Sequence, residues 1–100
     1  MYKYRARVGR VVDGDTVYMH VDLGFHMSAY LSMRLIGVDT PERGEEDFDV
    51  ATAELTSLLE SVADEDGYVD IESSKTGKFG RWLVTIKGVN DPLIERWPYE

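Results

Sequence analysis

The sequence contains no cysteine. Disulfides and thiolate metal sites are therefore excluded, and any metal ion has to be held by oxygen or by the two histidines. No apolar run approaches the length that spans a bilayer, so no membrane partner is expected. The opening segment, Met1-Tyr2-Lys3-Tyr4-Arg5, lacks the apolar core of a signal peptide, and a cytoplasmic location is expected. Basic residues are few: 11 Lys and Arg stand against 19 Asp and Glu, a formal net charge of −8. That shortage argues against a passive, sequence-independent nucleic-acid binder, which carries a basic face. It is compatible with an enzyme that holds a hard cation, because such an ion needs clustered carboxylates and reverses the local field once bound. Repeats, low-complexity segments and interdomain linkers are also missing. Residues 1–100 are read as one domain, large enough for a real core but of modest stability.

Hydrophobic periodicity predicts the elements. Residues 2–12 read as a first strand, with Tyr2, Tyr4, Ala6 and Val8 alternating with Lys3, Arg5 and Arg7. Asp13-Gly14 is a two-residue hairpin signal, and residues 16–22 read as the second strand. A turn follows at Leu23-Gly24-Phe25. Residues 26–36 read as a long third strand, with Met27, Ala29, Leu31, Met33 and Leu35 on one face. Residues 37–49 form a loop, after which Asp47 or Asp49 is placed to cap a helix. Ala51, Leu55, Leu58, Leu59 and Val62 give that helix one apolar stripe, and it should stop near Asp64, ahead of Gly67. Residues 68–72 and 82–86 read as strands four and five, joined by a polar loop that includes residues 73–78. The fold class is α+β, mainly β. Five strands with a helix between the third and fourth match a five-stranded OB-fold barrel, here with a short C-terminal tail. Fold alone does not define function.

Three segments hold the candidate chemistry: Asp13-Gly14-Asp15-Thr16; Arg34 through the loop Asp39-Thr40-Pro41-Glu42; and Lys78-Phe79-Gly80-Arg81. Taken alone, the first is a turn with aspartates suited to it. In the second, Pro41 restricts Thr40 to an extended conformation and stiffens the loop. Such a loop can present two carboxylates and a backbone carbonyl toward one place, the oxygen mixture that hard cations take. In the third, a guanidinium at Arg81 can grip a phosphate through two hydrogen bonds, with Lys75 and Lys78 nearby. Jointly the three fit phosphodiester hydrolysis, which needs an ion to polarise the phosphoryl oxygen, a base to align water and cations for the developing charge. Asp15, Asp39 and Glu42 against Arg34 and Arg81 leave one negative charge, which a divalent ion turns into one positive charge. That balance suits a phosphodiester.

These residues resemble the staphylococcal-nuclease-like (thermonuclease) domain family. The resemblance rests on Val12-Asp13-Gly14-Asp15-Thr16-Val17, on Arg34-Leu35-Ile36-Gly37-Val38-Asp39-Thr40-Pro41-Glu42 and on Lys78-Phe79-Gly80-Arg81, in the family's order. It covers roughly residues 4–90. It implies an OB-fold nuclease that uses calcium, or another divalent ion, to hydrolyse DNA and RNA, leaving 3′-phosphate and 5′-hydroxyl ends. It further implies Asp15, Asp39 and the Thr40 carbonyl as metal ligands, and Glu42 as the group that orients or deprotonates water. Arg34 and Arg81 would act as phosphate clamps, with Lys75, Lys78 and Phe79 as substrate contacts. The substrate would be single-stranded or locally opened DNA or RNA, and the protein a monomer or weak homo-oligomer. Compact members of this kind resemble those of phages and other mobile elements.

The sequence departs from the family at two places. Position 79 is Phe where active members often have Tyr, removing a hydroxyl near the phosphate. The tail is short, with Pro92 and Pro98 limiting any helix over residues 89–97, so one wall of the nucleotide pocket would be absent or supplied by another subunit. These departures and the acidic charge define an alternative, a non-catalytic OB-fold module binding nucleic acid or a protein partner. His20 and His26 fall in predicted strands away from the motifs and are read as structural or surface groups. Trp97 and Tyr99 are read first as packing residues, and second as base-stacking substitutes for the missing wall.

Overall fold

A computed structural model of the protein describes residues 2–76 and 82–99, with the side chains of residues 75 and 76 left out. Five strands run in the order β1 (Tyr2–Val11), β2 (Thr16–Gly24), β3 (Met27–Leu35), β4 (Tyr68–Thr76) and β5 (Trp82–Ile86). Helix α1 (Phe48–Val62) lies between β3 and β4, and α2 (Asn90–Arg96) follows β5. The strands close into a barrel in the order β1-β2-β3-β5-β4. Every neighbouring pair is antiparallel except β3 and β5, which run parallel. The architecture is an OB-fold-like barrel, mainly β.

The two-residue period explains the core. Val17, Met19 and Val21 of β2, Met33 and Leu35 of β3, Val69 and Ile71 of β4, and Val84 and Ile86 of β5 are all buried inside the barrel cluster. Leu55 and Leu59 of α1 join them, and Ala51 is also buried on this helix. Leu58 and Val62 pack partly buried against the cluster, completing the predicted stripe. Asp47 stands at the N-cap position, but in a left-handed conformation and without a side-chain cap hydrogen bond.

Several boundaries differ from the sequence expectation. Strand β4 continues through Ser73 and Ser74 to Thr76, where a loop was predicted, because Tyr2 pairs with Ser73 and Trp82 with Thr76. Backbone pairing on both sides outweighs the weak strand preference of serine. His26 lies in the β2–β3 turn, not in β3: Phe25 and His26 form a two-residue connection with φ values of 54° and 58°. That geometry matches the right-handed twist of the flanking strands, although glycine or asparagine would adopt it at less cost. The predicted short helical segment after β5 is a seven-residue helix, and Asn90 fastens its start. Asn90 accepts a hydrogen bond from the Ile86 amide at 2.8 Å and donates to the carbonyls of Ile36 (3.0 Å) and Val84 (3.2 Å). One buried amide thereby ties the ends of β3 and β5 together where the site loop departs.

The α1–β4 turn is organised by Asp64. Its carboxylate accepts the amides of Asp66 and Tyr68 at 3.0 and 2.9 Å and pairs with Arg5. The Tyr68 amide above all, then the Asp66 amide and the Arg5 charge, hold its pKa below the ordinary value against an opposing desolvation. A depressed carboxylate stabilises the fold above its unfolded pKa and loses that contribution as pH falls through the folded value. Asp64→Ala is therefore expected to lower Tm at pH 7, with the gap to wild type closing below about pH 4, near the unfolded Asp pKa. Thermal melts across pH 2–8 check this.

Candidate active site

The hairpin between β1 and β2 delivers the central carboxylate. The amides of Val12 and Asp13 bond the Thr16 carbonyl at 3.0 and 3.3 Å, and the Asp15 amide bonds Asp13 Oδ1 at 3.1 Å. The Leu35 amide bonds the Asp15 carbonyl at 2.9 Å, so the turn is fixed against the end of β3. Gly14 belongs to this arrangement for a reason other than turn propensity, since its φ is not positive. A Cβ there would lie 2.7 Å from Thr40 Cγ2 and 2.8 Å from both Thr40 Cβ and Ala51 Cβ. Glycine lets the turn, the Asp39-Thr40 loop and α1 meet.

Asp15 is only 7% exposed. Its Oδ1 accepts the Thr16 hydroxyl at 3.0 Å and its Oδ2 accepts the Thr40 amide at 3.3 Å. Arg34, paired with Thr16 across β2 and β3, brings Nη1 to 2.8 Å from the same Oδ2. Burial pushes the Asp15 carboxyl up, but its hydrogen bond with Asp13, the Arg34 charge and the Thr40 and Thr16 donors together hold it below the ordinary value. Asp13 moves the other way, to about 6, through burial first and then the bond and charge of Asp15. The two carboxyls titrate as a pair that retains one proton into the weakly acidic range. Asp13 is thus part of the site and not only a turn former.

The Arg34–Asp15 contact is an ion pair without an aligned hydrogen bond. Nη1 is buried and finds no hydrogen-bond acceptor among the described residues. Arg34 as a whole stays partly exposed, and a guanidinium carries five N–H donors in all.

Thr40 links this cluster to a second group. It is buried, and with Asp39, Pro41, Glu42, Glu45, Glu46 and Trp97 it lines a cleft of about 530 Å³. Asp39 and Glu42 are exposed there. The Asp39 amide bonds the Trp97 carbonyl at 2.9 Å, and the Glu42 amide bonds Glu45 Oε1 at 2.6 Å. The Thr40 hydroxyl has no hydrogen-bond partner among the described residues. A buried unpaired hydroxyl is costly, so the near-isosteric Thr40→Val is expected to raise stability by about 1 kcal/mol, read as a shift in the denaturation midpoint.

Five of the predicted site residues can therefore be placed. Asp15, Arg34 and Thr40 are in direct contact, while Asp39 and Glu42 share the adjoining cleft with Thr40. Lys78, Phe79, Arg81 and the side chain of Lys75 lie outside the described residues. Among the described residues no group of three or more carboxylates and histidines converges on a metal position. The proposed ligand set holds two carboxylates and one carbonyl, and its donors are all hard oxygens suited to calcium. His20 packs against Tyr30 with ring centroids 4.4 Å apart and the rings tilted by 38°, and neither histidine is among the residues of this cluster or cleft. A larger cavity of about 590 Å³, bordered by Lys3, Arg5, Asp70, Glu72 and Lys87, contains none of the candidate residues.

The tail contributes what the sequence left open. Val38 forms a bridge with Pro98, and the Tyr99 amide bonds the Gly37 carbonyl at 3.0 Å. Trp97 is half-buried, packs against the core cluster and donates its indole N–H to Glu54 at 3.2 Å. It is a packing residue. Tyr99 is 65% exposed, and its ring centroid lies 5.9 Å from the Arg34 guanidinium carbon. No known family model matches the chain, and no curated protein matches it.

Proposed function

We propose that this chain is a divalent-metal-dependent nuclease, with calcium as the first candidate ion. Its substrate is single-stranded or locally opened DNA or RNA. The observation that carries the reading is the Arg34–Asp15–Thr40 cluster, in which a partly exposed arginine side chain lies 2.8 Å from a buried carboxylate that also accepts the Thr40 amide. The three-motif resemblance to the thermonuclease family supports the same reading, as does the cleft that Asp39 and Glu42 share with Thr40.

In this mechanism Arg34 holds a non-bridging oxygen of the scissile phosphate and offsets the charge that grows on it. Arg81 is assigned the second clamp by resemblance. Glu42, exposed at the cleft, orients a water or takes its proton as the water oxygen bonds to phosphorus. The bond to the 5′ oxygen breaks, leaving a 3′-phosphate and a 5′-hydroxyl. Asp15, Asp39 and the Thr40 carbonyl would hold the calcium ion, whose contribution when bound is to polarise the phosphoryl oxygen. Asp13 and Thr16 keep the Asp15 carboxylate oriented.

A second reading, a non-catalytic module binding nucleic acid or a protein, is favoured by one observation. Both oxygens of Asp15 are already engaged by Thr16, Thr40 and Arg34. The two readings separate in one assay. The nuclease reading expects single-stranded DNA or RNA to be cut with calcium and spared with chelator. Tight metal-independent binding without cleavage under any divalent ion would establish the second reading instead. We further propose a cytoplasmic monomer or weak homo-oligomer, which light scattering tests. No described helix is long and apolar enough to cross a membrane.

A further inference from the structure

We infer that the free edge of β3, residues 27–31, is a self-association surface that pairs with the same edge of a second copy of this chain. The inference does not rest on the nuclease reading. Strand β3 pairs with β2 from Met27 to Arg34, but with β5 only at Met33, Arg34 and Leu35. Among the described residues, the side of residues 27–32 turned away from β2 therefore has no strand partner, and no loop or helix backbone group hydrogen-bonds to it. A row of unpaired amides and carbonyls of this kind is a template for one more strand.

Charge and symmetry select a second copy as the occupant. Residues 23–33 are the longest stretch of the chain without Asp, Glu, Lys or Arg. Two copies, each with a net charge of −8, repel over most of their surfaces, and this segment lets them meet without opposed charges. A basic partner would gain nothing from it. The contrast with β1 is direct. Residues 2–5 of β1 pair with β4 but not with β2, and that free edge carries Lys3 and Arg5, the kind of charge that blocks edge pairing. Residues 27–32 carry neither a charge nor a proline. Exposed apolar side chains gather at the same end of the barrel: Phe25 is 94% exposed, Met27 61% and Leu23 44%. A two-fold axis normal to the sheet pairs the two β3 strands antiparallel and sets side chains of one face opposite each other, so it passes through a residue. Centred on Ala29, whose small side chain allows close approach, it sets Met27 opposite Leu31 of the second copy and uses only residues that lack a partner on that side. Met27, Ala29 and Leu31 share one strand face, so apolar meets apolar across the pair.

The test is sedimentation velocity of the purified chain over a concentration series, with residue-level amide hydrogen exchange by NMR. A concentration-dependent dimer is expected, tightening as salt rises from about 0.05 to about 0.5 M because screening weakens the mutual repulsion. Amide protection should rise with concentration within residues 27–31. Ser28→Glu sets two carboxylates about 8 Å apart across the pair and is expected to weaken the dimer about tenfold. Ser57→Glu adds the same charge on the outer face of α1 and should leave dimerisation near the wild-type level. Both serines are exposed, and thermal melts check that each variant is folded. The wild-type exchange pattern reads the surface without any substitution. A chain that stays monomeric up to about 1 mM overturns the inference. So does protection confined to another surface, association that salt weakens, or dimerisation of Ser28→Glu as tight as that of Ser57→Glu. No readout involves cleavage, so the result stands apart from the nuclease reading.

Discussion

Arg34→Ala is expected to lower kcat/KM for single-stranded DNA about a thousandfold, the scale of removing one preorganised charge from a phosphoryl or acyl transition state. The same change removes the counter-charge of Asp15, so a stability cost accompanies it. The pair is neither fully buried nor on the open surface, with side chains 18% and 10% exposed. A loss of about 2 kcal/mol, between the surface and buried limits, is expected at pH 7. Its pH dependence follows from the sign of the Asp15 shift. The folded pKa is depressed, so the contribution of the pair is present above the unfolded Asp value and disappears as pH falls through the folded one. Wild type and Arg34→Ala should converge in Tm below about pH 4. Arg34→Lys separates the two effects: it keeps the charge, recovers most of the stability, and still loses about a hundredfold in kcat/KM because a point charge does not replace the planar fork. Near-normal kinetics in both variants would remove Arg34 from the mechanism.

Gly14→Ala has the second large effect. The added methyl would sit 2.7–2.8 Å from Thr40 and from the Ala51 Cβ, which is fixed to the buried face of α1. Gly14 does not adopt a positive φ, so the cost is steric and carries no backbone term. Overpacking of this kind costs about 3 kcal/mol, a large share of the stability of a domain this small. The displaced group includes the Thr40 amide that bonds Asp15, so cleavage should fall together with Tm. Denaturant titration and the cleavage assay together check this. Wild-type values in both would mean that the loop shifts freely and does not hold Asp15.

Much of the barrel was readable from local pattern. Val17, Met19 and Val21, like Met33 and Leu35, alternate because one strand face is buried, and burial is what periodicity records. The α1 stripe was legible for the same reason. The end of β4 was not, because Ser73 and Thr76 are held by partners far away in the chain, and propensity does not see pairing. In the candidate site, the carboxylates and Arg34 stood out by type and spacing. The purpose of Gly14 did not: a turn signal and a close-approach glycine look alike until Thr40 and Ala51 are brought against it. Asp13 was hidden likewise, since its raised pKa comes from burial beside Asp15. Asn90 and Tyr99 act through long-range contacts, one stitching β3 to β5 and the other folding back on Arg34, and no local pattern announces either. The separate fates of Trp97, packed against Glu54, and Tyr99, left facing solvent, follow from the clip between residues 97–99 and 37–39.

The proposed activity of the Asp15–Arg34–Thr40 cluster and its cleft is cleavage of phosphodiesters. The most direct measurement incubates the purified chain with end-labelled single-stranded DNA in calcium, with chelator and Asp39→Ala as controls, and determines the chemistry of the product ends. A calcium-dependent nuclease of this type yields fragments with 3′-phosphate and 5′-hydroxyl ends, abolished by chelator and strongly reduced in Asp39→Ala. Intact DNA and intact RNA under every divalent ion, or cleavage that persists unchanged in chelator, would contradict it.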